Sequence, residues 1–64
     1  MIYSLKGLLD LINSDAVVIN VQGIGYEVYV SESTKKKLPS KGSELTLYTY
    51  HHIREDHQHL YGFM

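Results

Sequence analysis

Apolar and polar residues alternate along three stretches of the first half of the chain, a pattern typical of half-buried β-strands. In residues 1–11 the apolar face consists of Tyr3, Leu5, Leu9 and Leu11, and the polar face of Ser4, Lys6 and Asp10. Residues 16–21 repeat the alternation with Val17, Ile19 and Val21, and residues 24–30 repeat it with Ile24, Tyr26, Val28 and Val30. The pattern therefore predicts three strands, each with one face towards a core.

Turn-forming residues separate these strands. Asn13-Ser14-Asp15 is a polar cluster, and Gln22-Gly23-Ile24-Gly25 contains two glycines that can adopt positive φ. Gly7 lies inside the first strand, where a glycine favours a bend or a bulge of the kind that curls a strand around a small barrel. We therefore expect turns at 13–15 and 22–25 and a bend or bulge at Gly7.

The pattern changes at residues 31–39. Ser31 or Ser33 can cap a helix, Glu32 suits its positive N-terminal end, and Lys35 to Lys37 suit its negative C-terminal end. Pro39 ends it, because the residue before a proline is disfavoured in a helix. These signals predict one short helix of about two turns at 32–38.

Two further strands follow the helix. Residues 44–53 alternate again, with Leu45, Leu47 and Thr49 on one face and Tyr48 and Tyr50 on the other, and residues 57–63 form a fifth strand. The aromatic and β-branched arms flank the charged tip Arg54-Glu55-Asp56, an arrangement typical of a β-hairpin that presents its turn. Five strands with a helix between the third and fourth predict an all-β, OB-like barrel in a single domain over 1–64.

Composition narrows the functional classes. The chain has no cysteine, so it has no disulfide or thiolate site, which suits a reducing compartment. No apolar run approaches the roughly 18 residues that cross a bilayer, so we expect a cytoplasmic protein without a membrane partner. Six Lys and Arg against seven Asp and Glu give a formal net charge of −1, which argues against DNA binding by bulk charge. We also expect this domain to be cut from a longer protein.

Several segments together resemble the N-terminal domain of the RuvA family, which recognises Holliday junctions in bacteria. The resemblance covers all 64 residues in register. The segments that carry it are Met1-Ile2, Leu5-x-Gly7, Val21-x-Gly23-Ile24-Gly25-Tyr26-Glu27-Val28, Leu38-Pro39, Arg54-Glu55-Asp56 and Leu60-Tyr61-Gly62-Phe63.

The resemblance implies a role that composition does not show. It implies an OB-like barrel in a homotetramer, an acidic pin formed by Glu55 and Asp56 at the centre of a bound four-way junction, and Arg54 beside that pin. It further implies helix-hairpin-helix and C-terminal domains outside this chain, the RuvB motor and the RuvC resolvase as partners, and work in DNA recombination, repair and the SOS response. On this basis the domain is expected to be non-catalytic and to need no cofactor.

The sequence departs from the family pattern at two places. Tyr3 and Ser4 stand where the family usually has a small and a basic residue, which puts a basic contact from position 4 in doubt. His52, His57 and His59 occupy hairpin arms that are usually apolar, and they can make the field around the pin depend on pH.

The residues leave several alternatives open. His51, His52, His57 and His59 with the nearby carboxylates suggest a zinc site, but their spacing matches no metal signature, so surface histidines and no metal are expected. Lys35, Lys36 and Lys37 are either phosphate contacts or a solvated helix end. Tyr48 and Tyr50 either stack on bases or, as we favour, pack on the barrel or a subunit contact. The functional alternatives are a generic single-strand-binding OB module and a pure oligomerisation domain.

Overall fold

Five strands close into a barrel in the order β1-β2-β3-β5-β4, with β4 pairing back onto β1. The computed structural model describes residues 1–64, the whole chain. Its elements are β1 (Ser4–Ile12), β2 (Ala16–Val21), β3 (Ile24–Val30), α1 (Glu32–Lys36), β4 (Glu44–Ile53) and β5 (Gln58–Phe63). The predicted fold class is confirmed, since α1 lies between the third and fourth strands of an all-β barrel.

The long strand β1 joins two neighbours of the barrel. Residues 4–8 pair with β4, and residues 8–12 pair with β2. Gly7 lies where the strand passes from one neighbour to the other, and a Cβ atom there would overlap the carbonyl oxygen of Asn20. Glycine is required at this position because of that close backbone approach.

The bulge in β1 lies at Asp10. A bend or bulge was predicted at Gly7, and the bulge is not there. Leu9 pairs with Ile19 and Leu11 pairs with Val18, so Asp10 is an extra residue in the ladder. An extra residue reverses the faces that follow it, because side chains alternate with period two. Leu11 is therefore 48% exposed and does not belong to the buried face.

Four further sequence predictions need correction. Tyr3 precedes β1 and is 75% exposed, so it is not a core residue either. The second turn is confined to Gln22 and Gly23, which both have positive φ, while residues 24 and 25 belong to β3. The helix has five residues and ends at Lys36, with Ser31 as its N-cap. The fifth strand begins at Gln58, one residue later than predicted.

The core fills the interior of the barrel with aliphatic side chains from all five strands. These are Leu5, Leu9, Val17, Ile19, Val28, Leu45, Leu47 and Leu60. The predicted alternation in β4 is confirmed, since Leu45, Leu47 and Thr49 are buried while Tyr48 and Tyr50 are exposed. No helix of the structure has the length and apolar character to cross a membrane.

Candidate nucleic-acid interface

The β4–β5 hairpin presents the acidic residues at its tip. The two strands pair without a break from Tyr48 opposite Phe63 to Ile53 opposite Gln58. Beyond the last pair, the Arg54 N–H donates to the His57 carbonyl oxygen at 2.8 Å. This bond closes a turn whose two central residues are Glu55 and Asp56, both exposed. The strand-forming arms therefore hold two adjacent carboxylates in solvent, as the sequence predicted.

The carboxylates of Glu55 and Asp56 differ in their side-chain contacts. Asp56 Oδ1 lies 2.8 Å from His57 Nδ1, whereas the Arg54 Nε–H donates to His52 Nε2 at 2.8 Å and makes no ion pair. Glu55 has no ion-pair partner. With His57 neutral, the turn 54–57 carries one positive and two negative charges. Its net charge is −1, and Glu55 is the carboxylate most available to a ligand or to repel one.

His51 ties the hairpin to the N-terminal segment. Its Nδ1 accepts a hydrogen bond from the Ile2 N–H at 3.2 Å, and its Nε2 lies 2.9 Å from Gln58 Oε1. The neutral tautomer with its proton on Nε2 satisfies both partners. Thr49 adds two bonds, since its hydroxyl donates to the Ile2 carbonyl at 2.7 Å and its N–H donates to the Tyr3 carbonyl at 2.8 Å. Residues 2 and 3 are thus fixed to the part of β4 that pairs with β5.

Six aromatic and imidazole rings make a continuous cluster on the outer surface of β3, β4 and β5. Ring centroids are 4.7 Å apart for His57 and His59, and 6.5 Å apart for the stacked pair Tyr50 and Tyr61. We call this set the ring cluster, and its members are Tyr29, Tyr50, His52, His57, His59 and Tyr61. The cluster begins at the turn and runs along the hairpin away from it.

Tyr50 belongs to the ring cluster and lies outside the barrel core. It is 53% exposed, and Tyr48 is also exposed. Packing on the outer surface of the barrel, one of the two roles favoured from the sequence, agrees for Tyr50 with its ring contacts to His52 and Tyr61. A subunit contact and base stacking remain as alternatives.

The histidines do not form a metal site in the structure. No three His, Asp or Glu side chains come together in an arrangement that would hold a metal ion. His51, His52 and His57 instead use ring nitrogens in contacts with Ile2, Arg54 and Asp56.

The lysine run lies far from the acidic turn. Strand β3 runs parallel to β5, with Val30 beside Gly62, so α1 follows β3 at the end of the barrel opposite the turn. The four residue steps from Gln58 to Gly62 correspond to roughly 13 Å along β5. Lys35 donates through Nζ to the Ser14 carbonyl at 2.9 Å. The structure therefore does not bring Lys35, Lys36 and Lys37 together with Arg54.

A cleft of about 290 Å³ opens beside the hairpin where β3 and β5 diverge. Its lining includes Glu27, Tyr29, His51 and His59. The Glu27 carboxylate raises the pKa of Tyr29, with smaller contributions from desolvation and Asp15. This side of the ring cluster therefore lies in the negative field of Glu27 and Asp15.

Residues 1–62 match the family model described as the RuvA N terminal domain. The chain belongs to this family. It is 42% identical over 60 residues to the RuvA subunit of the Holliday junction branch migration complex from Chlorobaculum tepidum, covering 94% of this chain and 30% of the relative. The corresponding proteins of Salinibacter ruber and Symbiobacterium thermophilum are 46% and 47% identical, covering 98% and 100% of this chain and 31% of each relative. The chain thus spans about a third of the length of the RuvA relatives it matches.

Sequence reasoning located the turn but missed two features of its surroundings. The link from His51 to Ile2 joins residues 49 positions apart, and no local pattern indicates it. The ring cluster did leave a signal, because rings occupy alternate positions 48, 50 and 52 and again 59, 61 and 63. In this member of the RuvA family, that alternation identifies one outward face of the hairpin.

Proposed function

We propose that this chain is the N-terminal domain of a Holliday-junction branch migration subunit, and that it contacts four-way junction DNA and takes part in tetramer assembly. The observation that carries the proposal is the position of Glu55 and Asp56 at the exposed tip of the β4–β5 hairpin. Membership of the RuvA family supports it, because the relatives bear the name of that complex.

The two carboxylates act in this proposal by repelling phosphates. A carboxylate about 6 Å from a phosphate, at an effective dielectric constant of about 20, experiences a repulsion of roughly 3 kcal/mol before screening by salt. Four-fold symmetry gathers four copies of the turn around one axis. Continuous duplex is then disfavoured at the centre, and strands that splay apart to exchange partners are favoured. Specificity arises partly from this repulsion, while affinity comes from positive contacts elsewhere.

Other parts of the complex supply what this domain lacks. With a formal net charge of −1, the chain has little general attraction for DNA. We assign the grip on the duplex arms to helix-hairpin-helix domains in a longer protein, the ATP-driven movement to the partner RuvB, and later cleavage to RuvC. The domain itself is proposed to be a non-catalytic component in recombination and repair. Arg54 beside the pin, and Lys35, Lys36 and Lys37 at the far end of the barrel, are its proposed phosphate contacts.

An assembly role without DNA contact is the second candidate, and one observation favours it. Twelve large apolar or aromatic side chains are exposed on this domain, and contiguous apolar surface marks contacts with other proteins. Among them are Met1, Tyr3, Leu8, Ile24, Tyr48 and Ile53. These surfaces suit contacts between subunits of the proposed tetramer and do not require the acidic turn.

A gel-shift comparison of four-way junction, duplex and single-stranded DNA tests the proposed function. The chain and the longer protein that contains it are measured side by side. We expect the longer protein to prefer the junction. A preference for single strands would favour a generic OB module, and loss of the chain from the longer protein without any change in junction preference would leave only the assembly role.

A further inference from the structure

The outward face of the hairpin consists entirely of rings. The outward positions of β4 and β5 form three cross-strand pairs: Tyr48 with Phe63, Tyr50 with Tyr61, and His52 with His59. None of them holds an aliphatic side chain, whereas Leu60 on the inward side belongs to the core. Tyr50 and Tyr61 are 53% and 39% exposed, so part of each side chain stays accessible beside their mutual contact.

The rings are arranged so that flat faces and polar edges alternate. The planes of Tyr50 and Tyr61 are inclined by 27°, whereas His52 and His59 meet Tyr61 nearly edge-on at 72° and 79°. The imidazole nitrogens and phenol hydroxyls add hydrogen-bonding groups at the ring edges. A nucleobase has the matching chemistry, namely a π-face for stacking and polar edges.

Charge restricts where a nucleic acid strand would lie on this face. At the turn end, the Arg54 guanidinium contacts His52, so a positive charge borders the rings. At the other border, Glu27 and Asp15 lie close enough to Tyr29 to raise its pKa. The Arg54 guanidinium is therefore the attractive contact for a phosphate at the rings, within a turn whose net charge is −1, and Glu27 and Asp15 repel phosphates from the Tyr29 side. The compatible part of the ring cluster contains Tyr50, His52, His59 and Tyr61.

The ring cluster is also continuous with the acidic turn. His57 contacts Asp56 through Nδ1. The ring centroids of His57 and His59 are 4.7 Å apart. A strand that the turn separates from its partner would thus pass directly onto the rings. We propose that Tyr50 and Tyr61, bordered by His52 and His59, bind unpaired nucleobases of a separated strand by stacking. This inference rests on the proposed function, because it assigns a binding site to the strand that the turn displaces.

Nuclear magnetic resonance with the isotope-labelled 64-residue chain tests the site directly. The probe is an oligothymidylate of about eight nucleotides, within the range of site sizes for OB barrels. The matched control is an abasic strand with the same number of phosphates. We expect ring-current shifts of the Tyr50 and Tyr61 side-chain signals with the oligothymidylate and not with the abasic strand. Equal shifts with both strands would overturn the proposal, since phosphates alone would then explain binding.

Variants add an independent measurement. Tyr50→Leu and Tyr61→Leu should each weaken oligothymidylate binding by about tenfold, as expected for the loss of one stacking platform. Tyr61→Trp should retain binding. The matched control is Tyr3→Leu, because Tyr3 is an exposed tyrosine outside the ring cluster, and it should bind like the unmodified chain. Unchanged binding by both leucine variants would contradict the proposal.

Two further outcomes separate this site from the alternatives. If dilution of the protein alone shifts the ring signals, the cluster is covered by a second copy of the chain and the proposal fails. Suppose that the ring signals do not change with single strands, but that neutralisation of Glu55 and Asp56 changes junction binding. This inference then fails and the proposed function stands. If neither effect occurs, the proposed function fails as well.

Discussion

The Nδ1 atom of His57 lies 2.8 Å from the Oδ1 atom of Asp56, at the tip of a hairpin whose other carboxylate, Glu55, has no ion-pair partner. The Asp56 side chain is 82% exposed. An exposed pair of this kind contributes at most about 1 kcal/mol to stability. The Asp56 and His57 side chains are thus free to serve binding, because their ion pair contributes little to the stability of the fold.

Removal of the His57 side chain should therefore leave the free energy of unfolding nearly unchanged. We expect His57→Ala to lower it by less than about 0.5 kcal/mol, measured by urea denaturation. Leu60→Ala in the same hairpin is the contrasting variant, because Leu60 belongs to the core, and it should lose about 2–5 kcal/mol. A large loss from His57→Ala would show that the turn is part of the structural framework.

His51 should control the order of the N-terminal segment. Removal of its ring in His51→Ala leaves the Ile2 N–H without its acceptor, so we expect Ile2 amide exchange to accelerate about fivefold, equivalent to about 1 kcal/mol. His51→Asn is the matched control, since its side-chain oxygen can replace Nδ1 as acceptor and should preserve protection. Equal exchange in both variants would mean that the Thr49 bonds alone hold this segment.

The fold was largely predictable because each strand has a clear period of two. The bounds of β4 and the burial of Leu45, Leu47 and Thr49 agree with the sequence pattern. The bulge at Asp10 was not predictable, because it depends on how β1 is shared between two neighbours. The same sharing reversed the face assigned to Leu11, so the error in the predicted core has a tertiary origin.

Gly7 should be intolerant of any side chain. In Gly7→Ala the new methyl group would meet the carbonyl group of Asn20, which is backbone and cannot move aside. We expect a loss of about 1–3 kcal/mol in the free energy of unfolding. Gly25→Ala provides the comparison, because its Cβ would meet only the Val18 Cγ1 atom at 3.1 Å, which can shift. A larger loss from Gly25→Ala than from Gly7→Ala would contradict this account of the close approach.

The candidate site was predictable only in part. A charged tip between two strand-like arms is a local pattern, so the sequence alone indicated where Glu55 and Asp56 lie. The partners of the histidines were not predictable, because Arg54 turns back onto His52 and away from the carboxylates. The separation of the lysine run from the turn depends on the parallel pairing of β3 with β5, which no local pattern specifies.

The central claim is that Glu55 and Asp56 discriminate among DNA structures by repulsion. The most direct measurement compares dissociation constants for four-way junction and duplex DNA between the longer protein that contains this chain and its Glu55→Gln/Asp56→Asn variant. The matched control is Asp10→Asn/Glu44→Gln, which removes two exposed carboxylates away from the turn. Each double variant raises the formal net charge of this chain from −1 to +1. The account predicts that only the turn variant binds duplex about tenfold more tightly, equivalent to about 1.4 kcal/mol of relieved repulsion, and loses junction preference. Equal effects of the two double variants, or an unchanged preference in the turn variant, would contradict it.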